Sequence, residues 1–186
     1  MSGYERNQSA PVLETYLSGE QIKMRVKELG EKISGDYSEV GELLIVSVLR
    51  GSVYFTVDLS RRLTIPFILD FIGISSYGAN SFPMGIVRIT KDLDINISQR
   101  HVLLVEDIVD TGLTLNYLLK NLKTRNPQSL RVCTFLDQPG RRIVDIPVDY
   151  RGFEIPDIIP VGYGLDYQGH YRNLESVAVL KKINPA

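Results

Sequence analysis

The stretch "VLLVEDIVDTGLTL", residues 102–115, places four apolar residues directly before a pair of acids and ends in a Thr-Gly-x-Thr turn. An unbroken apolar run of this kind is typical of a strand that is covered on both faces. Glu106, Asp107 and Asp110 lie where that strand would end, and carboxylates at such density repel one another and are costly to bury. The stretch therefore predicts a buried strand whose end binds a cation or a ligand that bears hydroxyl groups.

The rest of the chain extends this strand into an α/β pattern. A capping box of Ser18 and Gln21 before an apolar stripe predicts a helix over residues 18–33, and two further helical patterns cover 53–63 and 114–125. Because strand and helix patterns alternate, a mostly parallel sheet flanked by helices is the economical architecture. The predicted strands are 43–49, 66–74, 101–108, 130–136 and 177–180.

No repeat, low-complexity tract or linker divides the chain, so residues 1–186 are predicted to form a single domain. Residues 1–12 are predicted to be a flexible arm. Two long irregular segments, 75–85 and 153–173, are rich in Gly, Pro and Tyr, and segments of this kind are usually lids or binding loops.

Composition excludes several classes of partner. The net charge is -1, so no basic field would attract nucleic acid or an anionic membrane, and no apolar run approaches membrane-spanning length. Cys133 is the single cysteine and is interpreted as a core thiol. With no second cysteine for an intrachain disulfide, we expect a cytoplasmic protein.

The turn after the acids has the chemistry of a phosphate site. Thr111 and Thr114 offer hydroxyl groups, Gly112 lets the backbone approach a ligand, and the N–H groups at the start of the following helix favour an anion. Acids beside such a site indicate a phosphorylated sugar, whose hydroxyls they would bind directly or through Mg²⁺. A receiver domain is a weaker alternative, because its acidic pair lies near the start of the domain. A Walker nucleotide site is excluded because its glycine-lysine motif is missing.

The same stretch closely resembles the phosphoribosyl-diphosphate (PRPP) binding motif of the type I phosphoribosyltransferases. Other stretches are similar to the hypoxanthine-guanine branch of that family: "VLRGSVYF" (48–55), "SSYG" (75–78) with "VRITKDLD" (87–94), and "VGYGLDYQGHYRNL" (161–174). The resemblance implies the type I phosphoribosyltransferase fold, a mostly parallel twisted sheet flanked by helices. It also implies a small hood subdomain, formed by the N-terminal part and about 150–174.

The resemblance implies a role for each residue of the PRPP motif. Glu106 and Asp107 would hold the ribose hydroxyls and Mg²⁺, and Asp110 would be catalytic, facing purine N7 and handling its proton. The 5-phosphate would bind to the loop formed by Asp110, Thr111, Gly112, Leu113 and Thr114.

Further roles fall outside that motif. Arg50 and Gly51 would form the diphosphate loop, where the family has a non-proline cis peptide, and Arg172 would bind the diphosphate as well. Asp166 would bind a second Mg²⁺. Ser76 and Tyr77 belong to a lid loop that would close over the site and exclude water.

The base-binding positions depart from the family pattern. Gln138 stands where the family has a lysine that donates to the purine 6-oxygen, so Gln138→Lys is expected to lower the KM for hypoxanthine if Gln138 limits recognition. Ile159 replaces an aromatic residue that stacks on the base, and Pro160 has no N–H to offer the 6-oxygen. The carboxamide of Gln138 can also accept from a 6-amino group, which leaves adenine open as a base.

The sequence is interpreted as an enzyme of purine salvage that converts PRPP and hypoxanthine or guanine into the nucleoside monophosphate and diphosphate, with Mg²⁺. Two alternatives stay open: transfer to another acceptor (xanthine, adenine or a non-purine ring), or a PRPP-sensing relative that is not an enzyme. The expected partners are small molecules, without nucleic acid or membrane, and the resemblance implies a homodimer or homotetramer.

Overall fold

The structure, a computed structural model, describes residues 12–76 and 87–181, with side chains described for 13–75 and 88–180. Two sheets and three α-helices occur in this part of the chain. The elements in chain order are β1 (Val12–Leu17), α1 (Gly19–Asp36), β2 (Leu43–Leu49), α2 (Val53–Ser60), β3 (Phe67–Ser76), β4 (Val87–Lys91), β5 (His101–Val109), α3 (Leu113–Lys123), β6 (Ser129–Asp137), β7 (Tyr150–Glu154), β8 (Pro160–Val161) and β9 (Val177–Lys181).

The larger sheet has six strands in the order β4-β3-β2-β5-β6-β7. All neighbouring pairs in it are parallel except β3 and β4. Residues 43–48 of β2 are all buried, as expected for a parallel strand with helices on both faces. The α/β prediction is confirmed, as are the strands predicted at 43–49, 66–74, 101–108 and 130–136.

Three helices cover the two faces of this sheet. Apolar side chains of α1 and α2 pack with Leu43 and Ile45 of β2 on one face, and those of α3 pack with Leu44 and Val46 on the other. The predicted capping box is present, because Ser18 N donates to Gln21 Oε1 at 2.8 Å and Gln21 N donates to Ser18 Oγ at 3.3 Å. No helix in the described ranges is long and apolar enough to cross a membrane.

The smaller sheet is antiparallel, in the order β1-β9-β8. The prediction that the run at 177–180 belongs to the parallel sheet is therefore wrong. This run forms β9, which lies between β1 and β8, two strands that the hydrophobic pattern did not predict. A four-residue apolar run indicates a strand but carries no information about its direction or partners, which depend on distant segments. The exposed edge strand β4 and the short β7 also escaped prediction, since neither is a continuous apolar run.

The small sheet changes the expected boundaries of the arm and the hood. Val12 begins β1, while the rest of the predicted arm, 1–11, lies outside the described residues. The range expected for the hood, about 150–174, begins with β7, which pairs with β6 in the larger sheet, and only β8 of that range lies in the small sheet.

Candidate active site

The carboxyl ends of the parallel strands bring the predicted site residues to one edge of the larger sheet. Arg50 and Gly51 follow β2, Glu106 and Asp107 lie near the end of β5, and Gln138 follows β6. β5 lies between β2 and β6, so its acids are flanked by both turns. This edge is where ligands bind in open α/β sheets.

The acidic pair is largely removed from water. Glu106 is 8% exposed, and its Oε2 atom has no hydrogen-bond partner among the described residues. Asp107 is better satisfied, since its Oδ1 accepts a 2.8 Å bond from the N–H of Ile108. Burial raises the pKa of Glu106 well above its usual value, and the neighbouring charge of Asp107 adds to the effect. Burial also raises the pKa of Asp107, and Arg172 opposes that rise. A bound cation, or hydroxyl groups that donate hydrogen bonds, would therefore stabilise the charged form of the pair.

This burial makes stability depend on pH. A carboxyl group whose folded pKa lies above its unfolded pKa destabilises the fold as pH rises between the two values. Glu106→Gln is therefore expected to raise the Tm of the ligand-free protein at pH 8 by about 3 °C, since 1 kcal/mol corresponds to about 2–4 °C at this size. The gain should be smaller at pH 5, because a carboxyl group whose folded pKa is raised takes up its proton as pH falls toward the ordinary range of a glutamate.

Thermal unfolding followed by circular dichroism at the two pH values measures this effect. Glu39→Gln, which changes an exposed glutamate, is the control and should leave Tm unchanged. An equal gain at both pH values would show that ionisation of Glu106 is not the cause.

Residues 142–144 form hydrogen bonds with the loop between β5 and α3. The carbonyl of Thr111 accepts bonds from Ile143 N (2.9 Å) and Val144 N (3.1 Å). Gly112 has φ +79° at the start of α3, and a Cβ there would lie 2.5 Å from the carbonyl oxygen of Val144. Only glycine fits this position without strain. The loop and the acidic pair together enclose a cavity of about 170 Å³, lined by Glu106, Asp107, Ile108, Val109, Asp110, Gly112, Thr114 and Leu115.

Arg142 also holds the loop between β5 and α3, and it was not among the predicted site residues. Its Nη1 donates to the carbonyl of Asp110 at 3.0 Å, and its Nη2 pairs with Asp137, which is 1% exposed. Arg151 Nε lies 2.7 Å from the other carboxylate oxygen of Asp137, in ion-pair geometry. The signal that could have indicated this network is an acid directly after the predicted strand 130–136, followed by "GRR" at 140–142.

The turn after β2 contacts the acidic pair. The Leu49–Arg50 peptide bond is cis, as the resemblance implied. Arg50 is exposed, and its guanidinium makes no hydrogen bond or ion pair with any residue in 13–75 or 88–180. Gly51 is buried against Asp107: a Cβ at Gly51 would lie 1.4 Å from Asp107 Oδ2. The turn thus brings the backbone of Gly51 against the Asp107 carboxylate.

The segment that contains Asp166 and Arg172 packs on this turn. Gly164 has φ +100°, and a Cβ there would lie 2.0 Å from the carbonyl oxygen of Gly51. Arg172 Nη1 donates to the carbonyl of Gly164 at 2.6 Å, and Arg172 Nη2 lies 2.5 Å from Asp166 Oδ1. Asp166 Oδ2 also accepts from the N–H of Gly169 at 2.6 Å. The contact between Gly51 and Gly164 brings this segment to the same edge.

The remaining predicted site residues differ in how exposed they are, and one of them lies outside the described residues. Ser76 is the last residue of β3, and Tyr77 lies outside the described residues. Ile159 is 51% exposed, whereas Pro160 is buried at the start of β8. Gln138 is 1% exposed and its amide is bonded to main-chain carbonyls. Among the described residues, no group of three or more His, Cys, Asp or Glu forms a metal site.

Comparison with known proteins agrees with this geometry. Residues 12–168 match the phosphoribosyl transferase domain family. The hypoxanthine-guanine phosphoribosyltransferase of Mycobacterium tuberculosis (strain H37Rv) is 47% identical over 169 residues, covering 88% of this chain and 84% of the relative. A crystal structure of the Bacillus anthracis hypoxanthine-guanine phosphoribosyltransferase superposes with a TM-score of 0.85 at 43% identity, covering 90% of this chain and 98% of the other.

A solved structure of the Trypanosoma cruzi hypoxanthine phosphoribosyltransferase superposes with a TM-score of 0.87 at 40% identity, and covers 94% of each chain. The matches in sequence and in structure therefore span nearly the same part of the chain. These matches show that this chain belongs to the phosphoribosyltransferase family, in its hypoxanthine-guanine branch, and the acidic pair, the loop before α3 and the turn after β2 agree with that assignment.

Proposed function

We propose that the protein transfers the 5-phosphoribosyl group of PRPP to a purine base, with hypoxanthine and guanine as the leading acceptors. The products are the nucleoside 5′-monophosphate (IMP or GMP) and diphosphate, which makes the protein a glycosyltransferase of purine salvage. The observation that carries the proposal is the acidic pair, buried Glu106 and half-buried Asp107, which lines one cavity with the loop before α3 and contacts the turn that contains Arg50 and Gly51. A sugar that bears hydroxyls and phosphates at both ends needs this order of groups.

The donor site follows from the positions of these groups. Glu106 and Asp107 would accept hydrogen bonds from the ribose hydroxyls, and the loop from Asp110 to Thr114 would bind the 5-phosphate through its N–H groups. Arg50, the N–H of Gly51, and Arg172 would bind the diphosphate, whose negative charge grows as it leaves. Arg172 is already held by Asp166 and Gly164, so its head group is restricted before the donor binds.

The reaction forms a bond between a ring nitrogen of the base and C1 of the ribose while the bond from C1 to the diphosphate oxygen breaks. The base loses one proton, and Asp110 is the proposed acceptor at purine N7. The hydroxyl of Thr111 lies 3.3 Å from Asp110 Oδ1, and Arg142 holds the Asp110 main chain, so the carboxylate is oriented before the base arrives.

The acids fit a magnesium ion. Glu106 Oε2 is buried without a partner, and the pKa of each member of the pair is raised by burial, so a divalent cation would relieve an electrostatic cost that the fold carries. Glu106 and Asp107 would hold one ion together with the ribose hydroxyls, and Asp166 would hold a second. Bound Mg²⁺ would neutralise charge on the diphosphate.

The base is proposed to bind beside Ile159 and Pro160, near Gln138. Half-exposed Ile159 offers an apolar surface to one face of the ring, and buried Pro160 fixes the main chain beside it. Since the departures from the family pattern lie on this side, acceptors other than hypoxanthine and guanine stay open. Water exclusion is assigned to the lid loop with Ser76 and Tyr77.

A panel of bases tests the proposal. Purified protein is incubated with PRPP, Mg²⁺ and one of hypoxanthine, guanine, xanthine or adenine, and diphosphate release is measured together with nucleotide formation. We expect release that depends on base and on Mg²⁺, highest with a 6-oxopurine. PRPP binding without release for any base would favour a sensor, and the absence of PRPP binding would contradict the donor site itself.

Quaternary structure and location are part of the same proposal. We infer a homodimer or homotetramer in solution, as the family resemblance implies. A cytoplasmic location is inferred from the single cysteine, Cys133, which has no second cysteine with which to form an intrachain disulfide.

A further inference from the structure

Gln138 is buried at the point where β6 ends beside the site. Its main-chain N–H donates to the carbonyl of Val109, the last residue of β5, at 2.9 Å. Its side-chain nitrogen lies 2.9 Å from the carbonyl oxygen of Pro156 and 2.8 Å from that of Ile158. Carbonyl oxygens can only accept, so the amide NH₂ must point at them and both of its donors are in use.

These hydrogen bonds hold residues 155–158, the segment that leads to the proposed base site. Ile155 N donates to the carbonyl of Asp137 at 2.8 Å, so Asp137 and Gln138 together hold residues 155–158 at three points. The chain then continues into Ile159 and Pro160. The position of the surface offered to the base therefore depends on a side chain that is itself 99% buried.

We infer that Gln138 is a positioning residue, which holds the 155–160 segment in its base-binding conformation and does not read the 6-substituent of the base. This inference rests on the proposed function. A loosened segment would populate the competent conformation less often, and the apparent affinity for every base would fall by that fraction. Direct readout predicts the opposite pattern, since losing a contact to one substituent changes discrimination among bases.

Gln138→Met tests this difference, because methionine is close to glutamine in volume and has no donor. Dissociation constants are measured by calorimetry for hypoxanthine, adenine and unsubstituted purine, which carry a 6-oxo, a 6-amino and no 6-substituent. For each base that binds the unaltered protein, we expect affinity to fall about tenfold, the effect of roughly one to two lost hydrogen bonds. PRPP affinity should stay within about twofold, because the donor loops keep their own contacts.

Two further variants complete the design. Gln138→Glu keeps the shape but places a carboxylate against two carbonyls, so it should weaken base binding at least as much. Gln128→Met, at an exposed glutamine beside the start of β6, should change nothing. A loss confined to one base, with the others unaffected, would overturn the inference in favour of direct readout.

Hydrogen exchange provides a measurement that does not depend on catalysis. The amides of Ile155, Asp157 and Ile158 should exchange faster in Gln138→Met than in the unaltered protein, and those of α1 should not. Unchanged exchange would overturn the positioning role whatever the affinities show. If the unaltered protein binds no base at all, the proposed function fails, and the exchange comparison alone decides whether Gln138 fastens this segment.

Discussion

Asp110→Asn is expected to lower kcat by about 10²–10⁴-fold, the range that a positioned general base contributes, while the Kd for PRPP changes little. Asparagine has nearly the same shape as aspartate but does not accept a proton at neutral pH. The main chain should stay in place, because the carbonyl of residue 110 would still accept from Arg142 and that of Thr111 from Ile143 and Val144. The change therefore removes the proposed proton acceptor from an otherwise intact loop.

Nucleotide formation at saturating substrates measures kcat, and titration calorimetry with PRPP and Mg²⁺ measures the donor Kd. Asp145→Asn, which alters an exposed acid three residues beyond Arg142, is the matched control and should behave as the unaltered protein does. Equal losses in kcat and in donor affinity would contradict the assignment, because they would make Asp110 a ligand of the donor and not a base.

Gly51→Ala is expected to reduce kcat/KM for PRPP by at least about 100-fold, since a displacement of about 1 Å in a binding group can cost that much. The added Cβ would lie 1.4 Å from Asp107 Oδ2, so the Asp107 carboxylate must leave its position. The carbonyl of Gly51 is also the contact of Gly164, and the disturbance would reach the segment that holds Arg172.

Steady-state kinetics with PRPP varied at saturating base measure this loss. Gly41→Ala is the matched control, because a Cβ at Gly41, just before β2, meets no atom within 4 Å. Thermal unfolding of both variants checks that Gly51→Ala is still folded at the assay temperature, so that a kinetic loss in Gly51→Ala alone reports on the site. Near-normal PRPP kinetics in Gly51→Ala would mean that this turn does not contact the bound donor.

The layered fold and the donor site follow largely from local pattern. Residues 102–105 are apolar without interruption, which is typical of burial on both faces, and "EDIVDTGLT" places acids, a glycine and hydroxyls directly before and at the start of a helix. The chemistry of this motif is contiguous in the chain. It could therefore be interpreted before any long-range contact was known, and the structure places its residues around one cavity.

The small sheet and the base side depend on contacts between distant segments. The pairing of β9 with β1 joins residues more than 150 positions apart, and no local pattern encodes it. The same holds for Gln138, whose type suggested a ligand for the base but whose side-chain donors meet carbonyls 18 and 20 residues away. The sequence gives the chemistry of each side chain, but packing decides which groups it contacts. A buried polar group forms hydrogen bonds with the groups that the fold places near it, and these can come from distant parts of the chain.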